Sequence, residues 1–157
     1  SVAGQNEPLG YTRNIVADVL FRHYARVARD EQVDFSVRAE LGKDAGIPDA
    51  ELCAILSNLL ENAMEACIRV KSGRRFISIT LRQEKAVLSI QMENSTAPMQ
   101  SDTGDFLSQK APNRTGYGLR SITATAARYD GEAFFEYDES TGTFMSTVIL
   151  LVDSEGQ

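Results

Sequence analysis

Two stretches of alternating hydrophobicity, 75–82 and 86–93, follow one another with only the polar turn Gln83-Glu84-Lys85 between them. Alternation with period two puts every second side chain on one face, so each stretch predicts a strand buried on one side. A turn this short joins antiparallel neighbours, because a parallel pair needs a crossover of about a dozen residues or more. The pattern returns at 132–138 and 143–152, punctuated by Gly131 and Gly142. Two hairpins leave too few strands separated by crossover helices for a doubly wound parallel sheet.

Between the strands the period changes. From 11 to about 29, Ile15, Val16, Val19, Leu20, Tyr24 and Val27 follow helical spacing, and Val33, Phe35, Val37 and Ala39 then alternate as a half-buried strand. The segment 42–46 predicts a turn. Pro48 and Asp49 open a long helix, with Asp49 available to cap it, that runs to roughly Lys71 before Gly73 stops it. A third helical pattern, 119–129, follows Gly116-Tyr117-Gly118. The order predicts an α+β fold: a two-layer α/β sandwich with a mixed, mostly antiparallel sheet and helices packed on one face. At 157 residues this is one domain, expected over 11–152, with 1–10 a flexible lead-in and 153–157 a tail. The polar stretch 94–114 reads as a loop of about 20 residues, longer than a compact domain normally keeps without a functional reason.

Charge and cysteine usage narrow the function classes. Sixteen basic residues against 22 acidic give a net charge of −6, which argues against a nucleic-acid partner, whose phosphates require clustered Lys and Arg. No apolar run reaches the roughly 18 residues of a membrane span, and no signal peptide opens the chain. The chain starts Ser1-Val2 without a Met, so it is expected to be a piece of something longer. Cys53 and Cys67 lie in one predicted helix, about 21 Å apart, too far for a disulfide. They are expected to be buried small apolar residues of a reducing, cytosolic compartment. A single His and two distant Cys make a zinc site improbable.

Three places carry residues suited to chemistry. In the second helix, "SNLLENAMEAC", Leu52, Leu56, Leu59, Ala63, Cys67 and Val70 fall on one side and Asn58, Glu61, Asn62 and Glu65 within an arc of about 100° on another. That polar arc is either a solvated face or a pair of amides one turn apart that hold a hard divalent cation. Two mid-helix Asn are poor helix formers, which speaks for the second. Gly116-Tyr117-Gly118-Leu119-Arg120 stands at a loop-to-helix junction, where glycines let a backbone approach a ligand and free N–H groups attract anions. It is either an ordinary turn or a phosphate contact. From 106 to 129 the chain has four basic residues (Lys110, Arg114, Arg120, Arg128) and no acidic one, which favours phosphate. Finally, the strand alternation delivers Asn94 to the end of 86–93.

In order and spacing these three features resemble the ATP-binding catalytic domain of the GHKL superfamily, which comprises gyrase, heat-shock chaperone, histidine kinase and mismatch-repair ATPases. "LSNLLENAMEA" looks like its N box, the strand into "MENS" like the first glycine box, and "GYGLRSITATAARYDGE" like the second. Within the superfamily the chain is most similar to sensor histidine kinases of the peptide-quorum-sensing type, from about Tyr11 to Leu151. The resemblance implies a Bergerat-type fold, ATP and Mg²⁺ as cofactors, and transfer of the γ-phosphate to a histidine. It implies that Asn62 is the metal ligand and that Asn58 and Asn62 are the catalytic pair. It also implies a nucleotide site of Asn58, Asn62, Glu65, Asn94, Arg114, Gly116, Tyr117, Gly118, Leu119 and Arg120, under an ATP lid of about 95–115.

An Asn at position 58, where hydrolysing relatives tend to have a Glu, cannot activate water, so a kinase fits better than a hydrolase. The family's adenine-binding Asp is matched by Asn94, and the glycines after it by Ser95 and Thr96, so somewhat weaker nucleotide binding is expected. His23, the only histidine, falls in the domain's own opening helix. The phosphoacceptor is therefore expected on an upstream dimerisation domain. The implied setting is the cytoplasmic part of a membrane-anchored homodimer that feeds a response regulator. Two alternatives are an anti-sigma-type serine kinase of the same fold and a non-catalytic, nucleotide-dependent interaction module.

Overall fold

The structure, a computed structural model, describes residues 11–98 and 114–153, and for 114–117 the backbone alone. The lead-in at 1–10, the lid apart from its two ends, and the tail beyond Asp153 lie outside the described residues. The order is α1 (Ile15–Asp30), β1 (Asp34–Glu40), α2 (Asp49–Ile68), β2 (Phe76–Glu84), β3 (Val87–Ser95), α3 (Arg114–Arg128), β4 (Glu132–Asp138) and β5 (Thr143–Leu151). The strands form one sheet in the order β1-β2-β3-β5-β4. Only β1 and β2, joined through α2, are parallel; the other three pairings are antiparallel. No helix among the described residues is long and apolar enough to cross a membrane.

Register explains the single core. Phe35, Ile77, Asn94, Phe144 and Tyr137 stand abreast in one row across the five strands. Rows of this parity face the helices. Ile77, Ile79, Leu81, Leu88, Ile90, Met92, Val148 and Leu150 are at most 1% exposed, whereas alternate residues of the edge strands β1 and β4 are exposed. α2 lies centrally, with α1 and α3 packed against it and all three helices over the same sheet. Its Leu52, Ile55, Leu56, Leu59, Leu60, Ala63, Met64 and Cys67 are buried, each large one contributing about 1.5–3 kcal/mol by leaving water.

Several boundaries differ from the sequence expectation. α1 starts at Ile15 because Asn14 caps it, its Oδ1 accepting from the Ala17 N–H at 3.0 Å. The Asp18 carboxylate then folds Tyr11 and Thr12 back by accepting both backbone N–H groups, at 3.1 and 2.7 Å. α2 is preceded by Pro48 and makes no side-chain cap; Asp49 sits in its first turn, where a carboxylate favours the positive helix end. α2 also stops at Ile68, earlier than Lys71. Arg75 accounts for this, donating to the carbonyls of Ile68 at 3.0 Å, Val70 at 3.2 Å and Glu31 at 2.8 Å. Cys67 is buried as expected, but Cys53 is exposed, because the residue after Leu52 is turned about 100° off the buried stripe.

Candidate functional site

α3 begins at Arg114, so Gly116-Tyr117-Gly118 lies inside the helix and does not precede it. This corrects the junction expected from the two glycines, whose low helix propensity is overridden by the packing of α3 on α2. Gly118, about one turn in, stands beside the two amides of α2. A Cβ there would meet Asn62 Nδ2 at 3.4 Å, Asn62 Oδ1 at 3.5 Å and Asn58 Oδ1 at 3.7 Å. The two helices thus bring together residues separated by more than 50 positions of sequence: the two amides and the second glycine.

The amides are half-buried, with Glu61 and Glu65 on the same face. Asn62 Nδ2 is buried and has no hydrogen-bond partner among the described residues. A buried donor without an acceptor costs about 1–3 kcal/mol, and such groups persist where a ligand completes them. The donor set fits a metal-bound polyphosphate. Carboxamides offer both an N–H for a phosphate oxygen and a neutral oxygen for a hard cation, and Gly118 leaves room beside them.

The other predicted residues are placed as follows. Asn94 ends the core-facing row of β3, 3% exposed, its Nδ2 donating to the Ser95 carbonyl at 3.0 Å. α2 reaches this strand end as well, since Cys67, five residues beyond Asn62, contacts Ser95. Leu119 is in the core at 2% exposure, and Arg120 is on the surface. Arg114, Gly116 and Tyr117 lie in the first turn of α3, with their side chains outside the described residues. His23 is exposed on α1, its ring edge-on to Tyr24 at 4.9 Å. The contact of Cys67 with Ser95 beside Asn94 was not foreseen from the sequence. Cys67 was legible only as an apolar position, and nothing local shows that its thiol faces the end of β3.

The model of the GHKL domain family matches residues 49–150, the span that carries all of these residues but His23. The sensor histidine kinase DpiB of Escherichia coli (strain K12) is 26% identical over 111 residues, 66% of this chain and 20% of its own length. The chain thus spans about a fifth of that curated relative. Among solved structures, the nucleotide-free catalytic domain of histidine kinase ThkA superposes with a TM-score of 0.67 at 16% identity, covering 90% of this chain and 93% of its own. The mycobacterial sensor histidine kinase MprB gives 0.61 at 14% identity, covering 88% and 95%. ThkA in complex with response regulator protein TrrA gives 0.61 at 17% identity, covering 92% of this chain and 42% of that one. At these identities the structures are alike in fold.

Proposed function

The chain belongs to the GHKL domain family, and on that premise we propose that it is the ATP-binding catalytic domain of a sensor histidine kinase. It transfers the γ-phosphate of ATP to a histidine on a dimerisation domain outside this chain. The observation that carries the reading is the meeting of Asn58, Asn62 and Gly118 around a buried amide nitrogen that has no hydrogen-bond partner among the described residues.

Asn62 would hold Mg²⁺ through Oδ1, with Asn58 one turn earlier on the same face, and Asn94 would accept a hydrogen bond from the adenine amino group. Bound Mg²⁺ supplies positive charge that offsets the charge on the phosphates. Gly118 keeps that side of the cleft open, and Arg114 and Arg120 add cationic charge along α3. The lid of about 95–115 would cover the nucleotide and exclude water. Neither Asn58 nor Asn62 can take a proton from water at neutral pH, so the site is suited to transfer onto another nucleophile and poorly suited to hydrolysis. His23, on the exposed side of α1, is not assigned as that nucleophile. The dimerisation domain, the homodimer contact and the membrane anchor belong in this reading to other parts of the intact protein. A response regulator is the onward partner, as TrrA is bound by ThkA.

Titration calorimetry with Mg²⁺-ATP tests the site. The wild-type chain is expected to bind, and Asn62→Ala to weaken binding at least about tenfold. Absence of heat from the wild type would overturn the reading. Supplied with its own dimerisation domain, the chain is expected to form an acid-labile phosphoryl adduct; an acid-stable one would indicate serine as the acceptor.

A further inference from the structure

The three helices lie over one face of the sheet; among the described residues no helix covers the other. The two ends of that open face differ in chemistry. At one end Val87 stands opposite Leu151, and the next rows bring Ile149 and Phe134. These four are 40%, 49%, 37% and 47% exposed, an apolar patch on a face where a solvated sheet normally carries polar side chains. At the other end one row reads Glu93, Met145, Glu136 across β3, β5 and β4. With Asp138 and Glu139 these residues line a hollow of about 750 Å³. Glu93 and Glu136 make no ion pair among the described residues.

α1 carries the complement. Its outward stripe, an arc of about 120°, holds Ile15, Val19, His23, Arg26 and Arg29. Ile15 and Val19 are 76% and 55% exposed. Arg26 and Arg29 are exposed and make no ion pair among the described residues. The helix is therefore apolar where it starts and cationic where it ends. The spacing agrees as well. From the middle of the Ile15–Val19 pair to Arg26 is about 14 Å of helix, and from Ile149 to the Met145 row is about 14 Å of strand.

We propose that the open face of one copy of this chain is a docking surface for α1 of a second copy, laid antiparallel to β5. Ile15 and Val19 cover the patch of Val87, Phe134, Ile149 and Leu151, and Arg26 and Arg29 enter the acidic hollow. Charge selects this occupant. Copies with a net charge of −6 repel one another overall, and two open faces brought together would set acid against acid, as two α1 stripes would set cation against cation. α1 and the open face belong to opposite layers, so the contact is head to tail. A docked copy still presents its own α1, and association continues past two copies unless it closes into a ring. The contact uses no residue of the nucleotide site and is separate from the homodimer contact assigned above to other parts of the intact protein.

Sedimentation velocity on the wild-type chain at low salt, from about 10 μM to about 1 mM, is the test. The average sedimentation coefficient is expected to rise with concentration beyond that of a dimer; a monomer throughout overturns the proposal. Val19→Asp and Phe134→Asp each remove one surface at an exposed position, and each alone is expected to stay monomeric. Mixed in equal amounts they are expected to form one-to-one dimers and nothing larger, because each keeps the surface that the other has lost. A contact between two helices or between two sheet faces would leave one variant associating by itself, and that outcome overturns the proposal, as does a mixture that stays monomeric. Arg26→Glu is expected to weaken association about fivefold, and adding Glu136→Arg to the same chain to recover it. Absence of recovery overturns the pairing of α1 with the acidic hollow, and this pair of variants decides if either aspartate variant does not fold.

Discussion

Gly118 lies inside α3, where alanine favours a helix by about 1 kcal/mol, yet a Cβ at this position would sit 3.4 Å and 3.5 Å from the two polar atoms of the Asn62 amide. Stability and ligand binding are therefore opposed at one residue. Gly118→Ala is expected to raise the melting temperature by about 2–4 °C and to weaken Mg²⁺-ATP binding about tenfold. Scanning calorimetry and titration on one preparation measure both, and an alanine variant that binds as well as wild type would show that the space beside Asn62 is not used. The residue scale was partly legible in the sequence. Asn58 and Asn62 are conspicuous because mid-helix Asn competes with the backbone, and Asn94 follows from strand alternation. The contact between Cys67 and Ser95 was not legible, since the two lie 28 residues apart and meet only in the folded chain.

Where elements begin and end, tertiary contact overrules local signals. Arg75 forks onto the carbonyl of Ile68, the last residue of α2, onto that of Val70 just past it, and onto that of Glu31 just past α1, with bonds of 2.8–3.2 Å. Cationic donors are favourable at helix C-termini. Arg75→Ala is expected to destabilise the fold by about 2 kcal/mol, read from urea unfolding. Arg75→Lys should recover only a minor part, because an ammonium cannot span three carbonyls as a planar guanidinium does. A loss no larger than that on removing the exposed pair Arg74–Asp34, under about 1 kcal/mol, would refute the clamp. The existence and order of every described element were readable from hydrophobic period, but the ends of α1 and α2 are met by a distant group, Arg75, that no local pattern announces.

For the whole molecule, the buried Cys67 thiol couples stability to pH. Burial raises its pKa above the ordinary 9.0, so the folded state holds this proton after the unfolded state has released it. Its contribution is complete below about pH 9 and is lost as pH rises through the folded value, by up to about 1.4 kcal/mol per pH unit. Urea unfolding at pH 8 and pH 10 is expected to show a larger loss in wild type than in Cys67→Ala, and equal losses would exclude this thiol as the cause. The sequence by itself determined the class of fold, because the switch from period 3.6 to period two at Gly73 and the two hairpins admit few sheets. Register then follows, since a one-residue slip would turn Ile77, Ile79 and Leu81 out of the core. It also supplied the chemistry of the site as separate pieces on α2, α3 and β3. Tertiary structure alone decided that Gly118 faces Asn62, that Asn62 Nδ2 has no hydrogen-bond partner among the described residues, and that Cys67 contacts Ser95. These are distances between elements, set by how side chains fill one shared core, and no local pattern along the chain encodes them.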